Sequence, residues 1–240
     1  MTNKKKEIGM IKPNILNQTR TLIKLGLYNE LKNKEKMLSP FIFGAIILIM
    51  FSFATGEIEK ELKIKFFTAE LILTVLLSLS IYFIRAFEIE NEDGVFNKLR
   101  STAISRNAWF FSKLFIVSAL SFATASLVMM MTSAFVGISN DLFLPKIPSL
   151  IAILALAIIG LSAVGIILSA VTLKARGRSI VFPLLYYPLT IPILLASTQS
   201  INLLFFKDVG VFSSQWGLVL AGFDIIYLIL STLLFEEFVD

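Results

Sequence analysis

Glu88, Glu90, Glu92 and Asp93 put four carboxylates into six positions of a 240-residue chain that is 56% hydrophobic. Acids at alternate positions suit a calcium loop, and Glu88, Glu90 and Glu92 match its ligands 1, 3 and 5. The match then fails twice, because the obligatory glycine would be Asp93 and the bidentate acid would be Leu99. A carboxylate pair for acid–base catalysis is a second reading, but no nucleophile, oxyanion hole or pocket is legible around it. A solvated loop capped by acids is the third.

Other chemistry is bounded by what the composition lacks. With no cysteine and no histidine, the chain forms no disulfide or thiolate metal site and lacks the usual haem ligands and proton shuttle. Met129, Met130 and Met131 read as core- or lipid-facing apolar residues rather than ligands. No G-x-x-x-x-G-K-[ST] occurs, so the chain does not cradle ATP phosphates and any energy input arrives from another chain.

These residues sit among elements that are mostly apolar. Charged residues make up only 16% of the chain, phenylalanines number 22 and the mean hydropathy is +0.82, which points to a bilayer protein. Spanning the hydrocarbon takes about 20 apolar residues as a helix. Six such runs lie at roughly 40–56, 66–87, 109–137, 149–173, 180–206 and 216–235. They are too uniformly apolar for barrel strands, so the expected fold is all-α and polytopic. Ala54-Thr55-Gly56 could pass for a signal-peptidase site, but the polar, basic residues 1–39 are too long for a secretory n-region. The first run is therefore read as an uncleaved helix.

Six spans return the chain to its starting side. Seventeen of the 22 Lys and Arg residues fall on that side, in residues 1–39 and in the second and fourth connections, against Lys60, Lys63, Lys65, Lys146 and Lys207 on the other. The bias predicts cytoplasmic termini. From Asn14 to Met37, Leu16, Ile23, Leu27 and Leu31 form one helical stripe beside Arg20 and Lys24. That fits an interfacial helix with its cations toward lipid headgroups, or an amphipathic helix docked on a partner. Ser39-Pro40 is expected to stop this helix. Small residues at four-residue spacing, Ala119 with Ala123 and Gly165 with Ser169, would permit close helix approach.

Two features inside the spans stand out. Pro183, Pro188 and Pro192 must kink or break the fifth helix, whose freed carbonyls need neighbouring helices, Thr190 or water. That helix is either irregular for packing reasons or lines a moving or wet part of the protein. Asp224 lies near mid-span, where an unpaired charge costs at least ~2.5 kcal/mol. It is expected to face the bundle interior, protonated or bonded to Asn202, Gln199 or a partner subunit. Glu70, one turn into the second span, is expected to snorkel outward.

The acidic cluster begins where the second span leaves the membrane. Gly94 follows, then a segment from Val95 to Ser105 with Phe96 and Leu99 on one face and the cations Lys98 and Arg100. Acids ahead of such a helix favour its macrodipole. Arg85-x-Phe87 with the acids and Asp93-Gly94, then Leu99 and Lys113, together with Pro188-Leu189-Thr190-Ile191-Pro192, resemble the haem exporter protein B (CcmB) family. The likeness extends over six spans in matching order from about residue 20.

The resemblance implies an exporter-type ABC permease, one domain over 1–240 with a cytoplasmic N-terminal part at 1–39 and a six-helix bundle at 40–240. It places a cytoplasmic coupling helix between the second and third spans, for which Arg85, Phe87, Glu88, Glu90, Asp93, Gly94, Phe96, Leu99 and Lys113 are the candidate residues. It implies the bacterial inner membrane, a second copy of the chain, an ABC ATPase subunit, a haem-handling membrane protein with a small helper, and a periplasmic haem chaperone. This chain would bind no cofactor, with ATP on the ATPase subunit and haem on partner proteins; it would be no enzyme and bind no nucleic acid. ATP hydrolysis would drive release of the haem-loaded chaperone. A permease that itself translocates haem or another lipid-like molecule, and a scaffold that only anchors partners, are the alternatives.

Overall fold

The structure is a computed structural model in which residues 15–56, 58–59, 62–87, 104–173 and 175–239 are described. Among these residues no strand occurs. The helices are α1 (Ile15–Lys32), α2 (Lys34–Thr55), α3 (Lys63–Ile84), α4 (Arg106–Val136), the short α5 (Asn140–Phe143), α6 (Ile147–Val171), α7 (Arg178–Lys207) and α8 (Gln215–Val239). Single 3-10 turns, Leu144–Lys146 and Val211–Ser213, precede α6 and α8. Helices α2, α3, α4, α6, α7 and α8 are long and apolar enough to cross a membrane, as the six apolar runs predict.

Helix α6 is the hub, packing against α3, α4, α7 and α8. It is apolar on all sides, the pattern of an enclosed helix, and residues 160–170 are buried without interruption. In lipid, hydrophobicity does not choose neighbours, whereas small side chains that admit close approach do. A Cβ on Gly165 would stand 2.4 Å from the ring of Phe83 in α3, and one on Gly160 would stand 2.3 Å from Asp224 Oδ1 in α8. The Gly165–Ser169 pair therefore works at a helix contact, while Ala119 and Ala123 are exposed.

Helix α2 meets the bundle along a narrow stripe, Pro40, Gly44 and Leu48. Gly44 lets it settle between Thr74 and Ser78 of α3 and Val128 of α4. Pro40 does not end a helix as expected. The break comes at Asn33, and α2 runs through Pro40, with the Tyr82 hydroxyl of α3 donating to Met37 O (2.8 Å). That carbonyl lies three residues before the proline, in the turn that the ring distorts.

At 31 residues, α4 is about 46 Å long at 1.5 Å per residue, well beyond a ~30 Å hydrocarbon core. Its first half carries α1. Gln18 Oε1 accepts from Ser105 N (2.8 Å), and Gly26 lies against Ile116, so α1 runs alongside α4 in the same direction. This packing divides the predicted stripe. Ile23 and Leu27 turn toward the bundle, while Leu16 (74% exposed) and Leu31 remain on the open side with Arg20 and Lys24.

Candidate functional site

The last turn of α3 and the residues after it, Arg85 to Phe87, lie on the face that carries most of the cations. The carbonyls ending a helix have no intrahelical partner, and the negative end of the macrodipole draws cations to them. Two arrive from different helices. Lys113 Nζ of α4 donates to Ala86 O at 2.9 Å and sits 5.5 Å from the Phe87 ring centre, within cation–π range. Arg178 Nη2, at the first residue of α7, donates to Ile84 O and to Ser169 Oγ of α6 at 3.0 Å.

Phe87 itself is 0% exposed. Its ring stacks on Phe235 of α8 at 6.0 Å and meets Trp109 of α4 edge-on at 6.0 Å. Trp109 and Phe235 touch in turn at 5.6 Å, and Phe110 packs on Phe235 at 5.4 Å. Aromatic pairs at these separations contribute beyond the area they bury. The chain thus leaves α3 through a clamp built by α4, α6, α7 and α8. It is picked up again at Ser105, which α1 holds through Gln18.

Of the residues assigned to coupling, the structure brings Phe87 and Lys113 together. Arg85 points to the open side and, with Glu30 and Tyr82, lines a cavity of about 20 Å³ beneath α1. Glu88, Glu90, Asp93, Gly94, Phe96 and Leu99 lie outside the described residues. Sequence reasoning missed Arg178, Ser169 and Phe235 as parts of this clamp. Arg178 was visible as a cation at the start of a span; nothing in the sequence marks Phe235 as Phe87's neighbour.

The fifth span, α7, is one continuous helix despite Pro183, Pro188 and Pro192; it does not break. Thr190 Oγ1 bonds Tyr187 O at 3.0 Å. Tyr227 of α8 donates to Leu189 O at 2.7 Å, again three residues before a proline. Asp224 is 4% exposed and faces inward, as expected. Neither named donor within the chain reaches it: Asn202 Oδ1 accepts from Thr68 of α3 at 3.2 Å, Gln199 is exposed, and both Asp224 oxygens are buried with no bond among the described residues. Asp224 lies eleven positions before Phe235, about 16 Å along α8, and is not part of the clamp.

Glu70 does not snorkel. Its side chain is 7% exposed, because α2, α4, α6 and α7 enclose α3 and leave only a strip containing Phe66, Ala69 and Leu73 open. Met129 is buried and Met130 exposed. Among the described residues no group of three or more acidic, His or Cys side chains is placed to hold a metal ion.

Six membrane-length helices, one of them an enclosed hub packed against four others, with a clamped chain exit on the cation-rich face, define a multi-pass membrane protein of the permease class. The chain belongs to the CcmB protein family, whose model matches residues 17–239. Family membership makes it a membrane subunit of the haem-exporter ABC system of cytochrome c maturation, which also contains an ABC ATPase and other maturation components. A comparison with curated proteins returns no match.

Proposed function

We propose that this chain is the mechanical subunit of that system, in which residues 88–103 form a cytoplasmic coupling segment pushed by a separate ATPase chain. The observation that carries the reading is the clamp on the exit of α3. A segment that transmits displacement must be fixed to the bundle at its root, and Phe87, Lys113 and Arg178 fix it to four other spans. Precisely held groups on rigid elements respond as a unit, whereas loosely held ones dissipate the motion.

In this reading the chain acts as one permease domain in the bacterial inner membrane, paired with a second copy, with both termini cytoplasmic. The distribution of cations supports that orientation. The open side of α1, with Arg20 and Lys24, rests on anionic lipid headgroups. The chain performs no catalysis and binds no cofactor; ATP resides on the ATPase subunit and haem on partner proteins, consistent with a sequence that has no histidine or cysteine to offer iron. The coupled event is release of the haem-loaded periplasmic chaperone, with the haem-handling membrane protein and its small helper in the same complex.

Because the chain has no cysteine, single cysteines placed through residues 93–105 can be crosslinked cleanly. Crosslinks to the ATPase chain are expected; their absence from an intact, active complex overturns the coupling segment. Reconstitution with the ATPase separates this reading from direct pumping, since ATP-driven accumulation of haem without the chaperone would replace it.

A further inference from the structure

We infer that Arg178 is a positioning residue for energy coupling, its guanidinium carrying displacement of the α3 exit into the proline-rich helix α7. The inference rests on the coupling role of residues 88–103. Arg178 is the first residue of α7 and follows Gly177, whose φ of 77° lies in the left-handed region that glycine enters without a Cβ penalty. This turn directs the start of α7 back toward α3. From there the guanidinium spans two acceptors on two other helices, Ile84 O at the end of α3 and the fully buried Ser169 Oγ of α6. Both bonds leave from one nitrogen, Nη2, which the long guanidinium side chain carries to the point where the two acceptors converge.

The two cations on the α3 exit differ in what they connect. Lys113 belongs to α4, whose 31 residues contain no proline, and holds the root against a stiff rod. Arg178 heads a helix with prolines at 183, 188 and 192. Each proline removes one hydrogen bond from the helical ladder and lowers its resistance to bending. A pull on Ile84 O therefore bends α7 rather than translating it. Helix α8 is fastened to the bend through Tyr227 and Leu189 O. Arg178 thus lies at the junction between the root and the part of the bundle built to deform.

The test uses the complex with its ATPase chain, reconstituted in lipid, with spin labels at Leu73→Cys on α3 and Leu184→Cys on α7, both on exposed positions. In the parent complex, ATP with vanadate is expected to shift the distance distribution between the labels. R178Q is expected to retain ATP hydrolysis and the crosslinks from residues 93–105, while the shifted population falls about tenfold, the scale of one lost hydrogen bond to a charged group. R178K, which keeps the charge on a side chain one bond shorter, is expected to fall between the two. If R178Q does not assemble, R178K carries the test. A full shift in R178Q, or in R178K where that variant carries the test, overturns the role of Arg178 while leaving the coupling segment standing. A parent complex with neither crosslink nor shift removes the coupling reading itself, and this inference with it.

Discussion

Asp224 shows how far a single residue type can be read. Its place inside a span and the cost of an unpaired charge there require it to turn inward, and it does. Its surroundings follow from helical phase in other elements. Asn202 lies nine positions along α7 from Ile193, which stands level with Asp224, and it bonds Thr68 of α3 instead; what meets Asp224 is the bare backbone of Gly160. A Cβ there would lie 2.3 Å from Asp224 Oδ1 and 2.7 Å from Ile193 Cδ1. Gly160→Ala is therefore expected to cost roughly 1–3 kcal/mol by overpacking, measured by denaturant titration of the detergent-solubilised protein. Adding Asp224→Ala to that background removes one of the two clashes and should recover part of the loss. A strictly additive double variant would show that the carboxyl does not occupy this notch.

At the scale of elements, the recurring device is a side chain from one helix that satisfies backbone acceptors on another. Lys63 bonds Gly137 O after α4, Lys146 bonds Leu204 O near the end of α7, and Lys113 and Arg178 take the end of α3. Tyr82 and Tyr227 do the same beside Pro40 and Pro192. Each bonded carbonyl lies one residue after the one its proline frees, which is four positions before the ring; which tyrosine reaches it depends on how the helices are arranged around one another. The clamp should be the costliest of these junctions to empty. Phe87→Ala removes a fully buried ring and is expected to destabilise the protein by roughly 3–5 kcal/mol. Phe111→Ala, 43% exposed on the neighbouring helix, should stay within about 0.5 kcal/mol. Equal losses in chemical unfolding would mean that Phe87 has no special anchoring role.

For the whole molecule the strongest asymmetry is charge along the sequence, with seventeen cations before the first span and around the second and fourth connections against five around the others. Under the positive-inside bias, a cysteine replacing Phe212, 69% exposed on the cation-poor face, should react with a membrane-impermeant maleimide on intact spheroplasts. One replacing Arg176, in the connection between α6 and α7, should react only after permeabilisation. The reverse pattern would invert the molecule and put residues 88–103 out of reach of a cytoplasmic ATPase.

Six helices and their approximate limits were legible because lipid leaves backbone groups no alternative to internal hydrogen bonding, so length and apolarity suffice to define a span. The family pattern was legible in short motifs such as Pro188-Leu189-Thr190-Ile191-Pro192, confirmed by a match over residues 17–239. The order of packing was not. In a bilayer every apolar face is equally at home, so hydropathy does not reveal that α6 is enclosed while α2 buries only a stripe of Pro40, Gly44 and Leu48. Nor does it reveal that Glu70 is covered or that Phe87, Trp109 and Phe235 meet. Those contacts join residues far apart in the chain, and they are settled by close approach at glycines and by hydrogen bonds between helices, which exist only once the helices have assembled.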